Sequence, residues 1–128
     1  MLNRRLALVC AAAAALLCAC ASPPASYPVP PGVRLVDAQR LSTLIEVSPP
    51  VAGRTGTGTM KVAVSVRNAA AGRMVIEGRA LFRSGPSAEP ASGWKRVFIQ
   101  KDSTESLEFS SLSERTSDYL IELREGNR

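Results

Sequence analysis

The sequence predicts an all-β protein: a small antiparallel β-sandwich of six to seven strands, following a signal peptide and a Pro-rich tether. Three observations predict it. Apolar residues recur with a period of two through most of the chain after residue 33, the pattern of half-buried strands. Clusters of Gly, Pro, Asn and Ser separate these segments at short intervals. Only residues 37–46 offer a stretch where a short helix competes with a strand.

The chain opens MLNRRLALVCAAAAALLCACASPPAS, with Arg4 and Arg5 ahead of an uncharged run from Leu6 to Ala19. That run is about 14 residues, whereas a bilayer core about 30 Å thick needs roughly 20. Arginines, a short apolar run and small residues form the pattern of a secretory signal rather than a membrane span. Residues 1–19 are therefore expected to be a lipoprotein signal peptide, residues 20–32 a lipidated Cys and tether, and residues 33–128 the β-sandwich domain.

The run ends Leu17-Cys18-Ala19-Cys20, which resembles the lipobox of bacterial lipoproteins. The resemblance implies cleavage before Cys20 and a lipid on its thiol. Cys18 is the rival anchor, but Leu17 gives it a bulky residue at −1. An ordinary signal peptide cut near Ala19 or Ala21 is the other alternative. Two or three acyl chains give a stable anchor where one is marginal. Ala21 follows the cysteine, where Asp would signal inner-membrane retention in enterobacteria. The expected location is the outer membrane, with the domain in the periplasm.

From Ala21 to Gly32 the chain reads ASPPASYPVPPG. Proline fixes φ and lacks an amide donor, so an extended spacer reaching up to about 37 Å is expected. Leu41, Thr43, Ile45 and Val47 alternate as a first strand, which Pro49 and Pro50 end. A loop holding Gly53, Gly56 and Gly58 follows. Its TGTGT lacks the Lys-Ser/Thr ending of a phosphate loop and leads to a strand, not a helix.

The clearest strand places Met60, Val62, Val64 and Val66 on one face. Asn68 to Gly72 then reads as a hairpin connection. The next strand sets Met74, Ile76, Gly78, Ala80 and Phe82 against Glu77, Arg79 and Arg83. Gly78 and Ala80 leave a shallow spot, suited to a bulge or to Trp94 packing over it. Residues 84–93 form a turn-rich loop, and residues 94–100 a further strand. Leu107 and Phe109 alternate with Glu108, and Tyr119, Ile121 and Leu123 alternate with Asp118, Glu122 and Arg124.

Composition narrows the chemistry. The chain has no histidine, and its three cysteines lie at or before position 20. Cys-His and Ser-His-Asp nucleophilic systems cannot be built from it, nor can His-containing zinc sites. No metal loop or cofactor motif is read, and the acids fall mostly at outward strand positions or in turns. The net charge is +5, or about +3 without Arg4 and Arg5. The basic residues are spread along the chain rather than gathered in a stripe with stacking aromatics, so no nucleic-acid partner is expected.

The stretch from Val64 to Arg124 is similar to the YcfL family of small bacterial lipoproteins. The matching pieces are Val66-Arg67-Asn68, Glu77-Gly78-Arg79-Ala80-Leu81-Phe82, Trp94, Lys101-Asp102-Ser103 and Asp118 to Arg124. This chain departs from the family's aromatic-acid pair and short turn at Phe82-Arg83-Ser84-Gly85 and its longer, proline-bearing loop. The resemblance implies a periplasmic β-sandwich lipoprotein without an established activity, encoded near an activator of penicillin-binding proteins.

The expected function is non-catalytic binding of an envelope protein or peptidoglycan, as an accessory in envelope assembly. Arg79, Arg83, Lys95 and Arg96 around the long loop are the candidate contacts; a solvated surface charge is the plain reading of each. The alternative is a lipidated anchor of a trans-envelope secretion machine, like the type VI lipoprotein TssJ. Least favoured is a glycan hydrolase using two carboxylates.

Overall fold

The computed structural model describes residues 25–127. The signal segment and Cys20 lie outside the described residues. Among the described residues, nine strands form two packed sheets, with one helical turn, α1 (Ala38–Leu41), beside them. In the first sheet, β1 (Val33–Leu35) pairs β9 (Asp118–Glu125), which pairs β5 (Met74–Ser84). The far side of β5 carries β7 (Lys95–Ile99) and the two-residue β6 (Ser87–Ala88). In the second sheet, β2 (Ile45–Val47) and β3 (Val51–Arg54) share one side of β4 (Met60–Asn68), and β8 (Thr104–Ser110) takes the other. All pairings are antiparallel except β1 with β9.

The all-β sandwich expected from the period of two is the observed fold. The strand count rises to nine because β1, β3 and β6 are only two to four residues long. Pro49 and Pro50 break one edge strand into β2 and β3, since proline cannot donate to the ladder. Leu41, expected in the first strand, instead closes α1, and Asp37 enters that turn with a left-handed φ of 57°. Gly53, expected in a loop, belongs to β3, whose hairpin with β4 has residues 55–59 at its tip.

Alternation dictates the core. Val62, Val64 and Val66 of β4 are essentially fully buried and meet Leu107 and Phe109 of β8 on the same face. Ile76, Ala80, Phe82, Ile121 and Leu123 supply the facing layer. Each valine or isoleucine so buried contributes about 1.5–3 kcal/mol of transfer free energy. Gly78 is part of this face. A methyl group there would lie 2.9 Å from Leu107 Cδ1 and 3.0 Å from Leu123 Cδ2, so these two leucines fill the space expected for Trp94.

Four connections cross between the sheets: β1 to β2, β4 to β5, β7 to β8 and β8 to β9. The Asn68–Gly72 segment does not close a hairpin, because β4 and β5 lie in different sheets. The turn from β7 to β8 crosses the same way. The β4–β5 and β7–β8 crossings meet at Asn68, which is fully buried. Its Nδ2 donates to the carbonyls of Gly72 (2.8 Å) and Ile99 (2.9 Å), and its Oδ1 accepts from the Ala70 amide (2.8 Å). Its backbone pairs with Ser103 and Asp102.

The opposite end is tied by the 111–117 loop. Arg54 donates to the Thr116 and Glu114 carbonyls, while the Glu89 carboxylate accepts from Thr116 Oγ1 and the Leu112 amide. Burial opposes ionisation of Glu89, but hydrogen bonds from Thr116, Leu112, Ser113 and Ser84 outweigh it and hold its pKa below the usual value.

Part of the expected spacer is folded onto the domain. The Tyr27 amide donates to the Ser42 carbonyl (2.8 Å), and Arg67 lies 5.8 Å from the Tyr27 ring centroid. Gly32, at φ 85°, lies against Tyr119, and its carbonyl accepts from Ile121 (2.8 Å). Residues 27–32 therefore run as a strap from the Asn68 end toward the Thr116 end.

Candidate functional site

Strand phase puts Glu77, Arg79, Leu81 and Arg83 of β5 on the solvent face of the first sheet, opposite the core residues that alternate with them. Cross-strand register sets Arg124 beside Glu77, Glu122 beside Arg79, Leu120 beside Leu81 and Asp118 beside Arg83. Arg34 of β1 adjoins Glu122, and Arg96 of β7 adjoins Glu77. Unlike charges thus alternate across four strands, the arrangement that favours cross-strand pairing.

Glu122 is the centre of this face. It accepts from Arg34 Nη2 (2.7 Å) and Arg79 Nε (3.0 Å), and its side chain is only 6% exposed. The Arg34 hydrogen bond is the main cause of a pKa below the ordinary glutamate value; burial opposes it and Arg79 adds to it. A glutamate at an outward strand position is therefore sealed beneath two arginines. Glu77 is held similarly, by Arg124 Nε (3.0 Å) and Arg96 Nε (3.6 Å).

Trp94 lies over these groups. The Arg124 guanidinium carbon is 3.7 Å from an indole ring centroid and that of Arg79 is 4.6 Å away. The tryptophan is therefore on the outer face and not over Gly78. Its phase gives the reason: Val97 and Ile99 turn to the core, so Trp94, Arg96 and Phe98 turn outward.

Beside this band, a groove of about 630 Å³ opens over Leu81 and Leu120. Arg34, Arg83, Glu89, Asp118 and Tyr119 also line it. Its floor is apolar and its walls carry both charges, a lining suited to a peptide-like ligand with both kinds of group. Among the described residues no group of three or more acids could hold a metal ion.

The four candidate contacts separate. Arg79, Arg83 and Arg96 share the outer face, with Arg83 donating to the Pro86 carbonyl (3.2 Å). Lys95 points the other way. Its Nζ donates to the Glu108 carbonyl on the open side of β8 and lies 5.1 Å from the Phe109 ring centroid, so it covers a sheet edge. Arg34, Glu77, Trp94, Leu120, Glu122 and Arg124 complete the face and are not among the expected contacts. Their signal is the shared Glu-x-Arg order of Glu77-Gly78-Arg79 and Glu122-Leu123-Arg124, which sets unlike charges opposite each other only when the two strands run antiparallel.

No protein-family model matches the chain, and no curated protein matches it. Among solved structures, the fold is similar to that of Campylobacter jejuni cj0090, with a TM-score of 0.59 and 12% identity over 74% of this chain and 98% of that one. It is also similar to a DUF1425 family member from Shewanella sp. pv-4, with a TM-score of 0.57 and 10% identity over 66% of this chain and 80% of that one. At these identities the likeness is one of fold.

Proposed function

We propose that this chain is a YcfL-like outer-membrane lipoprotein, anchored through Cys20, whose sandwich binds an envelope protein or peptidoglycan without catalysis. The fold shared with a DUF1425 family structure supports the family reading, and the lipobox-like Leu17-Cys18-Ala19-Cys20 supports the anchor. The single observation that carries the binding reading is the outer face of the first sheet. There an organised band of arginines, glutamates and Trp94 borders a groove with an apolar floor. The carboxylates of that band are committed to arginines, which favours recognition over acid–base work.

Two experiments test this. Labelled palmitate should enter the full-length chain and be lost in Cys20→Ser; label retained in the variant overturns the anchor. The lipid-free domain should retain an envelope protein or sediment with peptidoglycan, and Arg83→Glu with Leu120→Asp should reduce this at least tenfold. Equal capture by the doubly substituted domain removes the face from the function.

A further inference from the structure

The strap fixes where the anchoring segment leaves the domain. Tyr27 is held at the end of the sandwich that carries Ser42, Asn68 and the 100–103 turn, through its amide, its ring and its hydroxyl, which accepts from Arg67 Nη2 (3.4 Å). The groove lies at the other end, where Gly32 meets Tyr119 and where Glu89 and Arg83 line its wall. Tyr27 and Gly32 are five residues apart in the chain, so the exit lies up to about 18 Å from the edge of the groove, on the Asn68 side.

From this geometry we infer that the Asn68 end of the sandwich is its membrane-facing surface, its partner a lipid surface, and that the groove is presented away from that surface. The inference rests on the proposed lipid at Cys20. Only residues 21–26 lie between Cys20 and Tyr27, so that span reaches at most about 24 Å when fully extended. A free tether ending at Gly32 would reach nearly twice as far and would leave the domain from the groove end, close to any ligand. The strap reverses this. It takes up the last six residues of the spacer, moves the exit toward the Asn68 end and leaves the groove clear.

The chemistry of the membrane-facing end is compatible with headgroups. Lys101 and Arg73 are exposed there, and Arg73 lies 5.4 Å from the ring centroid of Phe98, itself half exposed. Aromatic and basic side chains together are the composition found at membrane–water interfaces.

The test uses the full lipidated chain in vesicles of phosphatidylethanolamine and phosphatidylglycerol that contain a fluorescent acceptor lipid. Apart from Cys20 the chain after the signal has no thiol, so Lys101→Cys and Gly56→Cys can each carry one donor dye. Both positions are exposed, and nothing lies within 4 Å of a Cβ at Gly56. Energy transfer to the acceptor lipid should be at least threefold more efficient from position 101 than from position 56. Adding Tyr27→Ala should shrink that ratio toward one. Ala71→Cys and Arg115→Cys repeat the measurement at independent loop positions. Equal transfer from both ends of a vesicle-bound chain overturns the orientation while leaving the anchor intact. A chain that takes up no labelled palmitate and stays off the vesicles fails the anchor reading, and the orientation falls with it.

Discussion

The guanidinium of Arg124 stacks on the indole of Trp94 with its central carbon 3.7 Å from a ring centroid, while its Nε holds Glu77 at 3.0 Å. One side chain thus joins the chain ahead of β7 to β9 across the width of β5. Arg124→Ala should loosen the indole and cost about 0.5–2 kcal/mol, the range for a partly desolvated cation–π contact. Because Trp94 is the chain's single tryptophan, its emission reports directly: a red shift is expected in the variant, with a lower urea midpoint. Unchanged emission would show that the stack does not persist in solution.

Glu122 gives a pH prediction with a definite sign. Its folded pKa lies below its unfolded value, which is about 4.3 for a free glutamate. Its contribution to stability is therefore complete above that value and is lost as pH falls through the folded pKa. Glu89, shifted in the same direction, adds to the loss. Chemical denaturation should give near-constant stability from neutral pH to about 5 and a decline below about 4.3. Glu122→Gln should flatten that decline and cost about 1.5–3 kcal/mol at neutral pH, where charge-assisted bonds to Arg34 and Arg79 are lost.

Gly78 is a packing requirement rather than a flexible position. Gly78→Ala should destabilise the domain by about 1–3 kcal/mol, because an added methyl presses on Leu107 and Leu123 from opposite sheets. Gly56→Ala is the control, since nothing lies within 4 Å of the new atom. Equal melting temperatures for the two variants would contradict this account of the core.

Asn68→Leu is close in size but supplies none of the three side-chain hydrogen bonds. It leaves the Ile99 carbonyl without its partner in a buried site, and the Ala70 amide and Gly72 carbonyl without theirs at partly buried ones. A loss of roughly 2–4 kcal/mol is expected, since each orphaned group costs about 1–3 kcal/mol unless water reaches it. Hydrogen exchange at Ala70 should accelerate in step with the loss of stability.

The alternation in β4, β5 and β9 was readable because each buries one face and exposes the other. β3 was not, because all four of its residues are exposed and one is glycine. The Asn68–Gly72 link carries turn residues whether it closes a hairpin or crosses between sheets, so local sequence could not decide which. Arg79, Arg83 and Arg96 were legible as outward basic residues. Lys95 sits in the same sequence cluster but in the opposite phase, a difference that only strand pairing reveals. The burial of Glu122 is not legible locally, because its two covering arginines come from β1 and β5, 88 and 43 residues away.

The parallel pairing of β1 with β9 joins the first strand of the domain to its last. β1 has no other strand partner among the described residues, so it cannot enter a sheet until residues 121–123 are present. A chain threaded amino-end first through an export channel therefore delivers β1 long before its partner. Contacts this distant in sequence close slowly, because chain entropy is lost before they form. Under the proposed export, the first sheet would be completed only after the carboxyl-terminal strand has emerged.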